Sequence, residues 1–385
     1  MPKVLILGGR APVALDLARR FARRGWSVIA GDSMSCRLTA WSHSVGVSVR
    51  LPSPRFSPQA FVDALRRIID THGIDMIVPT CEEVFYLSRY RDLLPASVRV
   101  AVADFATLDR LHSKWTFLEL ARECGADAPA SARVESLEQA RAWAGNDAVV
   151  IKPEYSRFGT HVRLYPQGIP ADAQPLELSA AWVVQRFCRG RELCSYSVID
   201  RGKVLAHVAY RPAYRLAGSA SFWFEACDVP AIRHFVDTLA ARLDYTGQIA
   251  FDWIQSEGGR VSVLECNPRA VSGVHLFKDD DNLPGALAGT VTSCLSPSAG
   301  ATSMLGSVML SAGGAQALKH GQVARWWRDY RRARDVIAPP GDVAPWFGGL
   351  IDMGAFACVA LRERCSLRQA STRDIEWDGQ PMIAL

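Results

Sequence analysis

The chain has 385 residues, enough for roughly two or three domains that each bury a hydrophobic core. Its 44 basic and 39 acidic side chains leave a net charge of +5, which supports anionic ligands weakly and argues against nucleic acid as a partner. The apolar run at the N-terminus is too short for a signal peptide, and no later run approaches the length of a membrane span. We therefore expect a cytoplasmic protein that contacts no membrane.

The first hundred residues alternate between strand and helix patterns. Residues 4–7 are predicted as a buried strand, residues 12–24 as a helix and residues 27–30 as the next strand. A second helix and a strand at residues 75–78 continue the series. Because β-α-β repeats form parallel sheets, we predict a Rossmann-like N-terminal domain over residues 1–105.

The glycine turn after the first strand raises the question of dinucleotide binding. In the run Gly-Gly-Arg-Ala-Pro at residues 8–12, Arg10 and Pro12 occupy positions where the backbone would have to approach a pyrophosphate. The run also departs from the Gly-x-Gly-x-x-Gly pattern, although Asp32 follows the second strand as an acid does in such domains. The sequence therefore argues against NAD as a cofactor.

From about residue 106 the strands lengthen and their order predicts antiparallel pairing. We expect a domain over residues 106–300, divided into subdomains over about 106–183 and 184–300, and a small C-terminal lid or accessory domain over residues 301–385. In the last of these, residues 351–361 are predicted as a hairpin or lid. The expected fold class is thus α/β followed by α+β.

Cysteines and arginines are numerous, but their spacing predicts no special site. The ten cysteines include no Cys-x-x-Cys pair, so we expect reduced and mostly buried thiols. The run at residues 325–334 is rich in arginine and tryptophan. Such a run is typical of a solvated or lid-facing helix, and nucleic acid binding is the weaker alternative.

A predicted hairpin with a Gly-Gly turn gathers oxygen ligands. Asp252 lies on its first strand and Glu265 and Asn267 on its second, where period-two alternation places Val263 on the same face. Two carboxylates and an amide oxygen suit Mg²⁺, and the same ligands would accept Mn²⁺. Such hairpins also occur with purely structural acids. However, Arg269 returns to this face two residues later, where it can clamp a phosphoryl group.

Several upstream residues fit a bound nucleotide. Lys152 ends a buried-type strand, where a lysine either extends to solvent or meets an anion. In the glycine-poor turn that follows, backbone N–H groups around Ser156 and Gly159 can face phosphate oxygens. Gln185 and Glu192 flank a turn, so an amide oxygen can accept from an adenine amino group and a carboxylate can accept from ribose hydroxyls.

With these residues in this order, the chain resembles enzymes of the ATP-grasp superfamily, which comprises carboxylate–amine ligases and related carboxylases. The resemblance covers residues 108–275. It rests on the predicted hairpin that carries Asp252, Glu265 and Asn267, which we call the metal hairpin, on Arg269 behind it, and on the spacing of Gln185 and Glu192. The preceding β-α-β block resembles the domain that normally comes before the ATP-grasp fold. The resemblance implies ATP and Mg²⁺ as cofactors.

The resemblance also implies a role for each candidate residue. Lys114, in a helix predicted over residues 108–124, and Lys152 would contact the phosphates of ATP. The other roles implied are adenine binding by Gln185 and the backbone of Phe187 and Cys188, ribose binding by Glu192, Mg²⁺ ligation by Asp252, Glu265 and Asn267, and stabilisation of the phosphorylated substrate by Arg269.

The chain departs from the family pattern at three places. Arg157 and Phe158 occupy a phosphate loop that is usually richer in glycine, and Gln185 replaces an acid. Ala250 stands where some ligases, the D-alanyl-D-alanine ligases among them, carry an arginine for the reaction intermediate. The sequence therefore does not identify the substrate.

Candidate substrate-binding residues lie on either side of the hairpin. Arg211 and Arg215 precede it and can hold a carboxylate or phosphate, with a basic surface loop as the alternative. His275 follows it and is a candidate acid–base or substrate-binding group, or else a packing residue.

The resemblance implies that a small carboxylate, for instance an amino acid, is activated as an acyl phosphate and joined to an amine, with release of ADP and phosphate. The alternatives are a carboxylase or carbamoyl-phosphate-type enzyme and a catalytically silent nucleotide-binding regulatory protein. A homodimer is left open.

Overall fold

The computed structural model describes residues 1–156, 161–177, 181–216 and 220–385. The strands are β1 (Lys3–Leu7), β2 (Ser27–Asp32), β3 (Val47–Arg50), β4 (Met76–Val78), β5 (Arg99–Val100), β6 (Ser131–Val134), β7 (Val149–Pro153), β8 (Arg163–Tyr165), β9 (Trp182–Arg186), β10 (Arg191–Asp200), β11 (Lys203–Arg215), β12 (Ser221–Cys227), β13 (Gly247–Gln255), β14 (Val261–Asn267), β15 (Thr302–Met304) and β16 (Arg334–Asp335).

The α-helices are α1 (Pro12–Arg23), α2 (Pro58–His72), α3 (Glu83–Arg89), α4 (Phe105–His112), α5 (Thr116–Glu123), α6 (Leu137–Ala144), α7 (Pro230–Leu243), α8 (Leu283–Leu287), α9 (Gly306–Val308), α10 (Gly314–Lys319), α11 (Val323–Arg332), α12 (Ala344–Glu363) and α13 (Leu367–Ala370). Short 3-10 helices occupy Leu38–Trp41, Arg91–Leu93 and Ser272–Leu276, and a π-helical turn occupies Met309–Gly313.

The N-terminal sheet is parallel throughout and has the order β3-β2-β1-β4-β5, which confirms the predicted α/β arrangement. Val4, Leu5 and Ile6 of the central strand are fully buried, as expected for a strand covered by helices on both faces. The carboxyl ends of parallel strands meet at one edge of the sheet. The loop that follows β4 at this edge carries Glu82 toward the rest of the molecule.

A second sheet of seven strands has the order β14-β13-β10-β11-β12-β15-β16 and is antiparallel except where β15 pairs with β16. One face is apolar: Phe251 and Trp253 are buried there and stack edge-on against Phe235 of α7. The opposite face of β13 carries Asp252. Strand alternation thus separates the core from the candidate site.

A smaller antiparallel sheet has the order β6-β9-β7-β8. It carries Lys152 at the end of β7 and Gln185 on β9. A bond from the backbone N–H of Val263 to the carbonyl of Asp127, 2.9 Å long, ties the segment leading into this sheet to strand β14. The two sheets therefore bring Lys152 and the metal hairpin into one region.

The predicted single helix over residues 108–124 is wrong, because the chain forms two helices, α4 and α5, with Lys114 between them. The Ser113 hydroxyl accepts bonds from the backbone N–H groups of Trp115 (3.3 Å) and Thr116 (3.1 Å). A serine that bonds forward in this way starts a new helix. The break releases Lys114 from a helical face and lets it point into the site.

The predicted hairpin or lid at residues 351–361 is also wrong, since this segment belongs to the 20-residue helix α12. By length and composition α12 would be able to cross a membrane, so the expectation that no run approaches a membrane span does not hold for it. One face of α12 packs on the 3-10 helix Leu38–Trp41, and most of the helix is exposed.

Candidate functional site

The hairpin of β13 and β14 places Asp252 directly opposite Glu265, and Asn267 follows Glu265 on the same face. The prediction that Val263 shares this face is wrong. The pairing register shifts after Asp252, so that Val263 lies opposite Trp253 and is fully buried on the core face. A β-bulge of this kind turns one stretch of a strand over relative to the next. It separates an apolar core residue from the oxygen ligands.

The two facing carboxylates have opposite electrostatic environments. Burial and the negative charge of Glu265 raise the pKa of Asp252 to about 7. Burial alone would raise the pKa of Glu265 as well, but the positive charges of Lys114 and Lys152 outweigh it and lower that pKa. The Cys194 thiol lies 3.2 Å from Asp252 and donates to it. The pair therefore holds negative charge that only a cation or a proton can neutralise at this position.

Two lysines that are nearly inaccessible to solvent lie beside these carboxylates. Lys114 and Lys152 are 5% and 6% exposed. Burial lowers the pKa of both, for Lys152 to about 8, while Glu265 acts in the opposite direction. The Lys114 ammonium donates to the carbonyl of Ser156 (2.8 Å), and the Lys152 ammonium donates to Oε1 of Gln185 (3.1 Å). Each ammonium thus donates to one neutral oxygen among the described residues, and buried charges placed in this way are poised for an anionic ligand.

Arg269 connects the hairpin to the segment that follows strand β4 of the N-terminal sheet. Its guanidinium donates to Oδ1 of Asn267 (3.0 Å), and its Nε lies 3.8 Å from a carboxylate oxygen of Glu82. The amide nitrogen of Asn267 in turn lies 3.4 Å from Asp252. A series of polar contacts thus runs from Glu82 through Arg269 and Asn267 to Asp252, while the role of Arg269 toward a phosphoryl group stays a prediction.

The residues predicted to hold adenine lie around the end of β9. Gln185 is buried, with its amide nitrogen 3.3 Å from the Ser131 hydroxyl. The backbone N–H of Phe187 is already bonded to the carbonyl of Ala148 (2.9 Å), so a base could use only its carbonyl. Cys188 follows and is half-buried. Its thiol stays neutral because burial raises its pKa.

The predicted ribose-binding residue, Glu192, forms an ion pair with Arg215. The two lie on the consecutive and paired strands β10 and β11, and the Glu192 carboxylate remains about half exposed. Among the predicted phosphate-loop residues, Ser156 contributes its carbonyl to Lys114, while Gly159 lies outside the described residues. The contact to phosphate oxygens through this loop stays a prediction.

Arg211 is not brought into the site. In β11, Tyr210 lies opposite Cys194 and therefore faces the same side as Asp252, whereas Arg211 lies opposite Glu225 and points to the other face. Strand alternation is the physical reason. Its Nε is buried without a hydrogen-bond partner among the described residues.

His275 is also placed away from the metal hairpin. It is 1% exposed, and its Nδ1 lies 2.8 Å from the carboxylate of Asp16. Asp16 additionally pairs with Arg20 (3.1 Å) and Arg334 (3.4 Å). Burial lowers the pKa of His275, although Asp16 opposes this effect. A neutral histidine in a closed network is a structural group, so we remove it from the catalytic candidates.

We expect His275→Leu to lower the free energy of unfolding by about 2 kcal/mol, because a buried hydrogen bond to Asp16 is lost. The turnover number of the folded fraction should not change. Denaturant unfolding and turnover per folded molecule measure the two quantities. His234→Leu, at an exposed histidine of α7, is the matched control. A stable variant that has lost turnover would contradict the structural role.

Sequence reasoning missed Glu82, His112 and Trp377. His112 precedes Lys114 and is buried, which lowers its pKa to about 4. Trp377, in the C-terminal segment (residues 371–385), packs on the rings of His112 and Tyr155, and its backbone N–H donates to Glu82 (3.3 Å). Only Glu82 has a sequence signal, as a polar residue just past a parallel strand.

The donor set fits a hard divalent cation. Asp252, Glu265 and Asn267 offer carboxylate and amide oxygens from one face of one hairpin. Within the described ranges, no three His, Cys, Asp or Glu side chains converge into a metal cluster. A cation held by so few protein ligands completes its coordination with water or phosphate oxygens, as Mg²⁺ does.

The raised pKa of Asp252 predicts how the free energy of unfolding depends on pH in protein kept metal-free with a chelator. A raised pKa means that the folded state retains a proton that the unfolded chain has lost. The stability due to protonated Asp252 is therefore complete below about pH 4 and is lost as the pH rises through about 7. Denaturant unfolding across this range measures it. Asp252→Asn should remove this component, and an unchanged profile in that variant would contradict the assignment.

Comparison with solved structures shows what this arrangement resembles. N5-carboxyaminoimidazole synthetase from Staphylococcus aureus complexed with ADP is 13% identical, with a TM-score of 0.62 over 81% of this chain and 85% of that one. L-amino acid ligase from Bacillus licheniformis is 14% identical, with a TM-score of 0.58 over 76% of each chain.

The biotin carboxylase domain of 2-oxoglutarate carboxylase from Hydrogenobacter thermophilus, a dimer in complex with MgADP, ADP and bicarbonate, is 12% identical, with a TM-score of 0.60 over 77% of this chain and 71% of that one. No protein-family model and no curated protein matches the sequence. The three structures are ATP-grasp enzymes. This chain therefore has the fold of the ATP-grasp superfamily.

Proposed function

We propose that this protein is an ATP- and Mg²⁺-dependent ligase that activates a small carboxylate as an acyl phosphate and joins it to an amine. The observation that carries the proposal is the pairing of Asp252 with Glu265 beside the buried Lys114 and Lys152. The carboxylates suit a metal cation, and the lysines beside them suit the phosphates of a nucleotide. Together they match the two components of a metal–nucleotide complex.

Each group has a task in this reaction. Mg²⁺, when bound, neutralises charge on the phosphates of ATP and fixes their orientation. Asp252, Glu265 and Asn267 would hold it on the hairpin. Lys114 and Lys152 would bind phosphate oxygens directly, with the strength that charge-assisted hydrogen bonds have in a site closed to water.

The proposed chemistry has two steps. A carboxylate oxygen of the acid attacks the γ-phosphorus, and the bond from phosphorus to ADP breaks. The amine nitrogen then attacks the acyl carbon, loses a proton and expels phosphate. Arg269, held by Asn267 and Glu82, would stabilise the negative charge of the phosphorylated acid. Such a reaction needs positioning more than covalent participation by the protein.

The proteins of similar fold suggest two candidates for the carboxylate substrate, an amino acid and bicarbonate. One similar structure is an L-amino acid ligase, which supports an amino acid as the carboxylate. Another contains bicarbonate together with MgADP, which is the pattern of a carboxylase. We propose the amino acid, on the likeness in fold to the L-amino acid ligase.

An assay of ADP release across a panel of small carboxylates, each with and without an amine, tests the proposal. We expect ADP release that depends on both an acid and an amine and that stops when Mg²⁺ is chelated. Release that needs bicarbonate alone would instead indicate a carboxylase. Tight nucleotide binding without turnover for any acid would indicate a regulatory protein and would overturn the proposal.

A further inference from the structure

Helix α12 lies on the N-terminal domain through one face only. Toward the protein it buries Pro345, Gly348 and Asp352. The absence of a side chain at Gly348 lets the Trp41 ring pack directly on the helix. Asp352 is the only charged residue between positions 344 and 361, and it faces inward with 4% of its surface exposed. The inner face therefore fixes which side of the helix is presented to solvent.

The outer face of α12 is apolar along its whole length. Its residues follow the heptad spacing of a helix that packs on another helix: Phe347, Leu350, Ile351, Gly354, Ala357, Cys358 and Leu361. We call these residues the α12 stripe. Phe347 is 59% and Leu361 81% exposed. An uncharged stripe of this length on a folded chain marks an interaction surface.

The α12 stripe is complementary to itself. Phe347 and Leu361 lie at equal distances on either side of Gly354, near the middle of the helix. If two copies of α12 cross antiparallel at Gly354, each Phe347 meets Leu361 of the second copy, and each Leu350 meets Cys358 of the second copy. In this register a large side chain of one helix always faces an apolar side chain of the other. The two helix backbones would approach most closely at Gly354, which has no side chain.

We propose that the α12 stripe binds the same stripe of a second copy of this chain, as an antiparallel helix pair centred on Gly354. The stripe has no charge, so a symmetric pairing brings no like charges together. An antiparallel pair also sets the dipole of each helix against that of its neighbour favourably. A bilayer is the less suitable occupant, because spanning it would pull α12 off Trp41 and take the Asp352 carboxylate into lipid.

The size of the stripe predicts a reversible association. A 20-residue helix is about 30 Å long, and one helix face is smaller than the roughly 800 Å² per partner of a standard stable interface. Exposed Val343 and Met353 at its margin add to the apolar area. We therefore expect a dimer that dissociates at concentrations of about 1–10 µM.

Sedimentation velocity of the full chain over a range of concentrations tests the proposal through Gly354→Leu. Beyond the two adjacent residues and the backbone of the helix itself, no atom of the described residues lies within 4 Å of the position that a Cβ would take at Gly354. The monomer can therefore accept leucine, which also favours the helix. We expect the dimer dissociation constant to rise by at least about tenfold, because the helices can no longer approach closely. Leu318→Glu, at an exposed apolar residue of α10, is the control and should leave the constant unchanged.

Cross-linking gives the second measurement. In a Cys358→Ser background, Gly354→Cys should form a disulfide-linked dimer under mild oxidation, whereas Leu318→Cys in the same background should not. A wild-type chain that stays monomeric up to about 100 µM would overturn the proposal. So would equal association of Gly354→Leu and wild type, or flotation of the monomer with anionic lipid vesicles through α12.

Discussion

Replacement of Glu265 by glutamine is expected to lower ADP formation by about a thousandfold while the protein stays folded. The carboxylate faces Asp252 from the opposite strand and is the one member of the pair whose pKa is lowered, so it remains charged at neutral pH. A neutral amide of the same shape keeps the packing but cannot supply that charge to a cation. The initial rate of ADP release at saturating Mg²⁺ and ATP measures the effect.

The control for this change is Glu257→Gln, in the exposed turn of the same hairpin. It alters the same residue type within the same element but lies away from the carboxylate pair, and it should retain full activity. If Glu265→Gln kept wild-type activity, or lost it only in proportion to unfolded protein, the metal assignment would be wrong. Far-ultraviolet circular dichroism of each variant reports the folded fraction.

Lys152→Met is expected to weaken nucleotide binding by about a hundredfold, which corresponds to the loss of one charge-assisted bond to phosphate in a buried site. Methionine has a similar length and fits an apolar environment, so the β7 strand should retain its packing. In the structure the Lys152 ammonium donates to Gln185 and is buried beside Glu265, so it lies inside the candidate site. Calorimetric titration with MgADP measures the dissociation constant.

The matched control is Lys319→Met, at an exposed position on α10. It removes the same charge from the protein and should bind MgADP like the wild type. A normal dissociation constant for Lys152→Met would mean that phosphates do not reach this lysine. Weaker binding in both variants would show instead that only the overall charge of the chain matters.

The hairpin could be predicted from the sequence because its information is local. The apolar alternation, the Gly-Gly turn and the positions of Asp252, Glu265 and Asn267 all lie within twenty residues, and period two places the ligands on one face. The bulge after Asp252 could not be predicted, because it depends on how Val263 packs into a core formed by distant segments. The side on which Arg211 lies could not be predicted either, because it depends on how β11 pairs with β10 and β12.

Other parts of the site depend on contacts that are remote in sequence. Glu82 and Trp377 come within hydrogen-bonding distance across 295 positions, and no local pattern encodes that approach. Asp374, in the same C-terminal segment, forms an ion pair with Arg10 after the first strand (2.7 Å). Arg10 also pairs with Asp32, so the arginine in the glycine turn has a structural role, whereas the sequence alone indicated only that it disfavours dinucleotide binding.

Helix α12 illustrates a conflict between local and tertiary preferences. Its glycines at positions 348, 349 and 354 lower helix propensity and favour the predicted hairpin. In the structure the segment is nevertheless helical, and Trp41 packs so closely on it that position 348 has no room for a side chain. Tertiary contact decides the outcome where propensity is weak.

The central claim is that this site transfers the γ-phosphoryl group of ATP to a carboxylate. The most direct measurement uses the acid that gives the highest ADP release, labelled with ¹⁸O in its carboxylate, followed by ³¹P nuclear magnetic resonance of the phosphate formed. An acyl phosphate intermediate predicts one labelled oxygen in that phosphate, because the carboxylate oxygen stays with phosphorus when the amine displaces it. Phosphate free of label, formed together with the product, would contradict the account.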